Sequence, residues 1–216
     1  MTGAMGVAGA GAVIALIYQT KVNAGESALR SGLKTVPVAL FAIAALLAGA
    51  PWLLVLGLAL GAVGDFALSR KGDSAFIAGL GSFALAHLAY AVVFVGVEAR
   101  LAPFDLTPMR WLGVAALVIM AQSTVVWLLP HVGGMKRPVA AYVAIISAMG
   151  LAALHLPATH GLAMLGAGLF VLSDLVLSIE RFRMKEDSPA ARGASHLVWP
   201  LYWVGQGLIL VGIAWS

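Results

Sequence analysis

Cysteine is absent from the 216 residues, so a disulfide framework, a thiolate nucleophile and cysteine-ligated metal are excluded from the start. Charge is scarce as well. Asp, Glu, Lys and Arg make up 10% of the chain against 62% hydrophobic residues, and the mean hydropathy is +0.99, which excludes an ordinary soluble globular domain. The apolar stretches lack the period-two alternation of barrel strands, which argues for helices. HExxH, P-loop and GxSxG signatures are missing, and Gly9-x-Gly11 has neither the preceding strand nor the third glycine of a dinucleotide fingerprint. No basic region precedes the first apolar run, the first positive side chain being Lys21. A cleaved signal peptide is therefore not expected, and that run reads as a retained span.

What is present is a series of apolar runs, each close to the roughly 20 residues a bilayer core requires. They fall at 3–19, 35–50, 52–69, 77–97, 111–129, 139–155, 161–180 and 197–215. The expectation is an all-α polytopic membrane bundle of about eight transmembrane helices, forming one membrane domain over 1–216. Only Ala50-Pro51 separates the second and third runs, which suits a tight helical hairpin. The net charge of +4 and pI near 9.7 do not point to nucleic acid, because the basic residues sit in short connections between apolar runs. Eleven of the thirteen lie in the odd-numbered connections: Lys21, Arg30, Lys34, Arg70, Lys71, Lys136, Arg137, Arg181, Arg183, Lys185 and Arg192. Arg100 and Arg110 fall in an even connection together with Glu98 and Asp105. The odd connections are expected to be cytoplasmic, with both termini on the opposite side.

The chain resembles itself. Gly64-Asp65-Phe66-Ala67-Leu68-Ser69 matches Ser173-Asp174-Leu175-Val176-Leu177-Ser178, and His87-Leu88-Ala89-Tyr90 matches His196-Leu197-Val198-Trp199, both at a spacing of 109 residues. Pro37-Val38-Ala39 and Pro138-Val139-Ala140 form a further pair. These matches suggest halves 1–108 and 109–216, a four-plus-four parallel repeat with a site between them.

Asp65 and Asp174 stand out because a carboxylate within an apolar span is costly and marks a functional site by default. Helical rise counted back from Arg70 and Arg181 puts both roughly 8–11 Å inside the cytoplasmic ends. Tyr142 and Tyr202 fall in the same layer, and the repeat favours a shallow placement for His87. Burial disfavours a charged carboxyl, so one acid of such a pair can donate a proton while the other stays ionised. Tyr90, Tyr142, Tyr202 and Gln206 offer neutral hydrogen bonds, and Lys136 and Arg137 at the rim could hold a phosphate. The set suits a lipid with its head group at the rim and its scissile bond just below.

These residues also carry a family resemblance: Gly64-Asp65-x-x-Leu68; Gly79-x-x-x-Phe83-x-x-x-His87-x-x-Tyr90; Arg137-Pro138-Val139-x-x-Tyr142 followed by Met149; Gly166-x-x-x-Phe170-x-x-Ser173-Asp174-x-x-Leu177 with Arg181-Phe182; and Tyr202-x-x-x-Gln206-x-x-Ile209. In this order they resemble the YhhN family of membrane proteins, which includes the animal lysoplasmalogenases. Trp203-Val204-Gly205 departs from the second aromatic and small residue expected between Tyr202 and Gln206, and the first span and the connection 98–110 carry no matching motif. The resemblance implies hydrolysis of the vinyl ether bond of a lysophospholipid substrate, with no metal or organic cofactor. Asp65 and Asp174 would be the catalytic acids, Asp174 the proton donor because its neighbours are the more apolar. His87, Tyr90, Lys136, Arg137, Tyr142, Ser173, Tyr202 and Gln206 would bind substrate or support the acids.

Competing readings exist for each feature. The two acids would also suit a proton-coupled transporter or a lipid-translocating protein, or, with His87 and His196, a zinc-dependent lipid hydrolase. Glu180 and Arg181 read as an interfacial pair, His196 as a solvated loop histidine, and Ser69 and Ser178 as serines bonded back to their own helices. Tyr142, Trp199 and Tyr202 equally fit an aromatic belt. Gly3-x-x-Gly6-x-x-Gly9-x-Gly11 and Gly57-x-x-x-Gly61 read as close-packing helix surfaces.

Overall fold

The computed structural model describes residues 2–101, 107–186 and 188–215, without the side chains of 98–101. Glu98, Arg100 and Asp105, which entered the charge count, lie outside the described residues. Eight α-helices carry the chain: α1 (Thr2–Gln19), α2 (Ala28–Leu47), α3 (Trp52–Leu68), α4 (Asp73–Leu101), α5 (Pro108–Trp127), α6 (Lys136–Leu154), α7 (Gly161–Arg183) and α8 (Pro189–Ala214). Among the described residues there is no strand. Seven helices are long and apolar enough to cross a membrane, and the 17 residues of α3 sit at the lower limit for spanning. Large apolar side chains such as Trp52, Leu112, Ile119 and Val126 face outward, as they do where the surroundings are lipid.

Two helices begin well before their apolar runs, and the reason is capping. Ser27 accepts a hydrogen bond from the Arg30 backbone N–H and opens α2 at Ala28 instead of 35. Ser188, with Pro189 at the first helical position, does the same for α8 through Ala191 N–H. A hydroxyl at the N-cap satisfies an amide that would otherwise lack a partner, so the helix starts at the cap and carries its charged residues inside. Arg30, Lys34, Arg192 and His196 are thus helical, and His196 is not a loop histidine.

The α2–α3 hairpin is tight as expected. Gly49, at φ 69, ends α2 in the left-handed region, with its N–H on Leu46 O and that of Ala50 on Ala45 O, the paired closure that favours glycine after a helix. Consecutive helices pack on one another within α1–α4 and within α5–α8. Across the two groups α2 packs on α8, α4 on α6 and α1 on α8.

The glycine surfaces differ from expectation. Gly3, Gly6 and Gly9 have open space beside them, and only Gly11 meets another helix, at Pro37 O. The stripe on α3 receives side chains instead of backbone: the Tyr90 ring lies over Gly57, Gln206 and Tyr202 over Gly61, and the Phe83 ring over Gly64. Backbone approach occurs at α7–α8, where a Cβ on Gly166 would lie 2.6 Å from Gly205 O and 2.8 Å from Ile209 N.

Pro200 lies inside α8 and removes the donor that would serve His196 O. Gln19 on α1 supplies it, with Nε2 at 3.0 Å from that oxygen and 3.1 Å from His196 Nδ1. Trp199 Nε1 donates in turn to Ala15 O at 2.9 Å. These bonds tie the first helix to the last.

Candidate active site

Helix α3 carries Asp65 three residues before its end and α7 carries Asp174 nine before its own, about 5 Å and about 14 Å inside by helical rise. The two acids stand at different distances from the ends of their own helices. Each has its own hydrogen-bonded set. Asp65 is 1% exposed and accepts from Tyr202 Oη of α8 at 2.8 Å. Asp174 accepts from Tyr142 Oη of α6 at 2.7 Å and lies 3.4 Å from His87 Nε2 of α4. His87 is fully buried. It shares the layer of Asp174, whereas His196 is exposed and meets Gln19.

The tautomer of His87 follows from its other nitrogen. Nδ1 lies 2.6 Å from Phe83 O, and a carbonyl only accepts, so Nδ1 carries a proton. Nε2 faces the carboxyl of Asp174 and has no other partner among the described residues. A neutral imidazole presents a lone pair there, 3.4 Å from Asp174 Oδ2, so a protonated Asp174 carboxyl is the form that can donate to it. Asp174 also lines a narrow apolar cavity of about 60 Å³ walled by Phe83, Met120, Tyr142, Ile146, Val171 and Leu175, among others. Asp65 lines neither this cavity nor the larger one described below.

Phe83 and Phe170 join the two sets. Phe170 lies 4.3 Å from the His87 ring centroid and 5.3 Å from that of Tyr202, and Phe83 lies 5.5 Å from Tyr202. Tyr90, expected beside His87 to orient an acid, instead donates to Gln206 Oε1 at 2.6 Å, leaving the buried Gln206 Nε2 without a partner. Ser173 Oγ turns back to Phe170 O at 2.8 Å. Trp199 and Tyr202 are buried in the bundle and are not belt residues. Lys136 and Arg137 are exposed and line neither cavity. Arg181 pairs with Asp73 at 2.8 Å and Glu180 accepts from Ser195 at 2.5 Å, so these neighbours do not pair with each other. Ser178 bonds back to Leu175 O as expected, while Ser69 also reaches Ser31 Oγ on α2 at 2.8 Å. Among the described residues no three His, Asp or Glu side chains gather as metal ligands, so the set His87, His196, Asp65 and Asp174 is not assembled into the three-ligand arrangement of a catalytic zinc.

A consequence for stability follows. Tyr202→Phe takes from Asp65 its one close hydrogen-bond donor, and a buried group left unpaired costs about 1–3 kcal/mol. Tyr142→Phe leaves Asp174 beside His87. Thermal unfolding in one detergent is expected to rank Tyr202→Phe as the more destabilising; the reverse order would mean that Asp65 has another donor.

The sequence model of the YhhN family matches residues 29–213. The chain is 31% identical over 162 residues to proteins named lysoplasmalogenase from Mycobacterium bovis and Mycobacterium tuberculosis, an alignment covering 74% of this chain and 59% of each relative. It thus spans about three-fifths of the length of the curated relatives it matches. No solved structure matches it.

Proposed function

The chain belongs to the YhhN family, and on that premise we propose that it is an integral membrane hydrolase that cleaves the vinyl ether bond of a lysoplasmalogen. The products are a fatty aldehyde and a glycerophospho-head group. What supports the reading most is the Asp174 carboxyl on the wall of an apolar cavity, hydrogen-bonded by Tyr142 and 3.4 Å from His87 Nε2. An enol ether is cleaved by protonation at its β-carbon, and that step needs a positioned acid in a site that admits an alkyl chain.

Asp174 gives its proton to the β-carbon, forming a C–H bond and leaving an oxocarbenium ion. Water adds to the cationic carbon and returns a proton to the Asp174 carboxylate. The hemiacetal then collapses to aldehyde and the glycerol hydroxyl, so that one water is consumed and no net proton. Tyr142 fixes the carboxyl and donates to its ionised form between the two transfers, and the Nε2 lone pair of His87 orients the acidic proton. Asp65 supplies the standing negative charge that favours the cation, held in place by Tyr202. Gln206 and Tyr90 brace the Tyr202 side of the site. These steps call on no metal or organic cofactor.

The end bearing Lys21, Arg70, Lys136 and Arg183 is read as cytoplasmic on the positive-inside rule, and the halves 1–108 and 109–216 as two copies of one ancestral unit within a single membrane domain. Purified protein given a lysoplasmalogen and its saturated alkyl ether analogue is expected to release aldehyde from the former alone, as read by aldehyde capture. Aldehyde from neither lipid would sink the proposal.

A further inference from the structure

The sequence alone suggested Lys136 and Arg137 for the phosphate of a substrate. The structure offers a different place. At the basic end of the bundle, α1, α2, α3, α7 and α8 enclose a cavity of about 560 Å³, within the range of small-molecule sites. Six basic side chains line it against two acidic ones. Of the two acids, Glu180 already accepts the Ser195 hydroxyl.

We propose that this vestibule binds the phosphate of the lipid head group, with Arg30 and Lys34 as its inner ligands and Arg70 and Arg192 at its rim. The proposal rests on the reading of the substrate as a lysophospholipid. Cations that merely obey the positive-inside rule extend into water, but Arg30 and Lys34 are half-buried on consecutive turns of α2 and line the cavity. Arg30 is anchored by Nη2 on Val22 O at 2.9 Å, and among the described residues its buried Nε has no hydrogen-bond partner. A guanidinium fixed at one corner with a donor unused is suited to an anionic oxygen. Lys34 makes no ion pair within 4 Å among the described residues.

The two cavities are neighbours. Leu68, Phe76 and Leu177 belong to the lining of both, so a lysolipid can lie across them, its phosphate in the vestibule and its chain in the apolar cavity. The vinyl ether of such a lipid is a few bonds from the phosphate on the chain side. That places it on the way to Asp174. The vestibule also explains why α2 begins seven residues before its apolar run: the turns added by the Ser27 cap are those that carry both inner cations.

The test is a binding measurement with a lipid that cannot be cleaved. A saturated 1-alkyl lysophospholipid and the 1-alkylglycerol that lacks the phosphate are titrated against purified protein in nonionic detergent. Wild type is expected to prefer the phospholipid by about tenfold or more, the effect of one or more charge-assisted hydrogen bonds. Arg30→Gln and Lys34→Gln are each expected to reduce that preference by about tenfold while keeping the alkylglycerol affinity, which also reports intact folding. The paired change Lys136→Gln with Arg137→Gln is expected to keep the preference. Inorganic phosphate should compete with the phospholipid and not with the alkylglycerol. Loss of preference on changing Lys136 and Arg137 but not Arg30 or Lys34 would overturn the assignment, as would a wild type without preference. Inorganic phosphate binding that leaves the phospholipid in place would also overturn it, by making this a site for the free ion. Because no bond is cleaved, a retained preference in a protein that releases no aldehyde would count against the hydrolase reading and leave the phosphate site standing.

Discussion

Asp174→Asn is expected to slow aldehyde release by about 10²–10⁴-fold, the usual contribution of a positioned general acid, with the affinity for an uncleavable alkyl lysolipid changed little. An amide fills the same space but has no proton to give to carbon. Tyr142 and His87 both address Oδ2, an arrangement that suits a hydroxyl-like oxygen accepting one hydrogen bond and donating another. Asparagine can satisfy one of these neighbours at that position but not both, so a loss of about 1–3 kcal/mol in stability should accompany the rate effect. Single-turnover rates, together with lipid binding on the same preparation, separate the two. A variant that keeps its rate within tenfold while binding normally would remove Asp174 from the role of acid.

Gly166→Leu is expected to be among the most damaging single changes away from the acids. The obstacles to a side chain at Gly166 are Gly205 O and Ile209 N, backbone atoms that cannot rotate away, so α7 and α8 must separate. Overpacking commonly costs about 1–3 kcal/mol, and a shift of whole helices exceeds what rotamer adjustment can absorb. Because α7 carries Asp174 and α8 carries Tyr202 and Gln206, the site comes apart with the interface. Size-exclusion profiles and thermal unfolding in detergent should show loss of the folded monodisperse species. Gly168→Leu is the control: nothing lies within 4 Å of its Cβ direction, it faces outward, and its stability should move by no more than about 0.5 kcal/mol.

How much of this could be read from the chain depends on the physical scale of each feature. The helices and their number follow from hydropathy, a local property, and eight helices stand where eight runs were expected. Their ends followed caps instead, so the starts of α2 and α8 lay inside what hydropathy marks as connection. The Ser27-x-x-Arg30 spacing was visible, and weighing it would have put Arg30 and Lys34 on a helix face. The rarity of intramembrane acids pointed to Asp65 and Asp174, since the cost of such a group does not depend on its partners. The partners themselves were assigned less well. Tyr90 reaches Gln206 from 116 residues away, and no spacing within one helix reports a bond between two. His87 meets Asp174 while its repeat counterpart His196 meets Gln19, so similar text on α4 and α8 ended in different surroundings. Phe83 and Phe170 were seen only as motif letters, because a wall between two polar sets is a property of four packed helices.

Helix α5 buries Thr124 but leaves Val118, Ile119, Val125 and Val126 largely outside, and it packs chiefly on α6 and the turn that follows it. It nonetheless supplies Met120, Thr124 and Leu128 to the wall of the Asp174 cavity. With its other edge against the surroundings, this wall is the exposed side of the cavity. For a lipid entering through it, the concentration that governs encounter is a mole fraction in two dimensions, and the width of the passage answers to the lateral pressure of the surrounding acyl chains as well as to the protein.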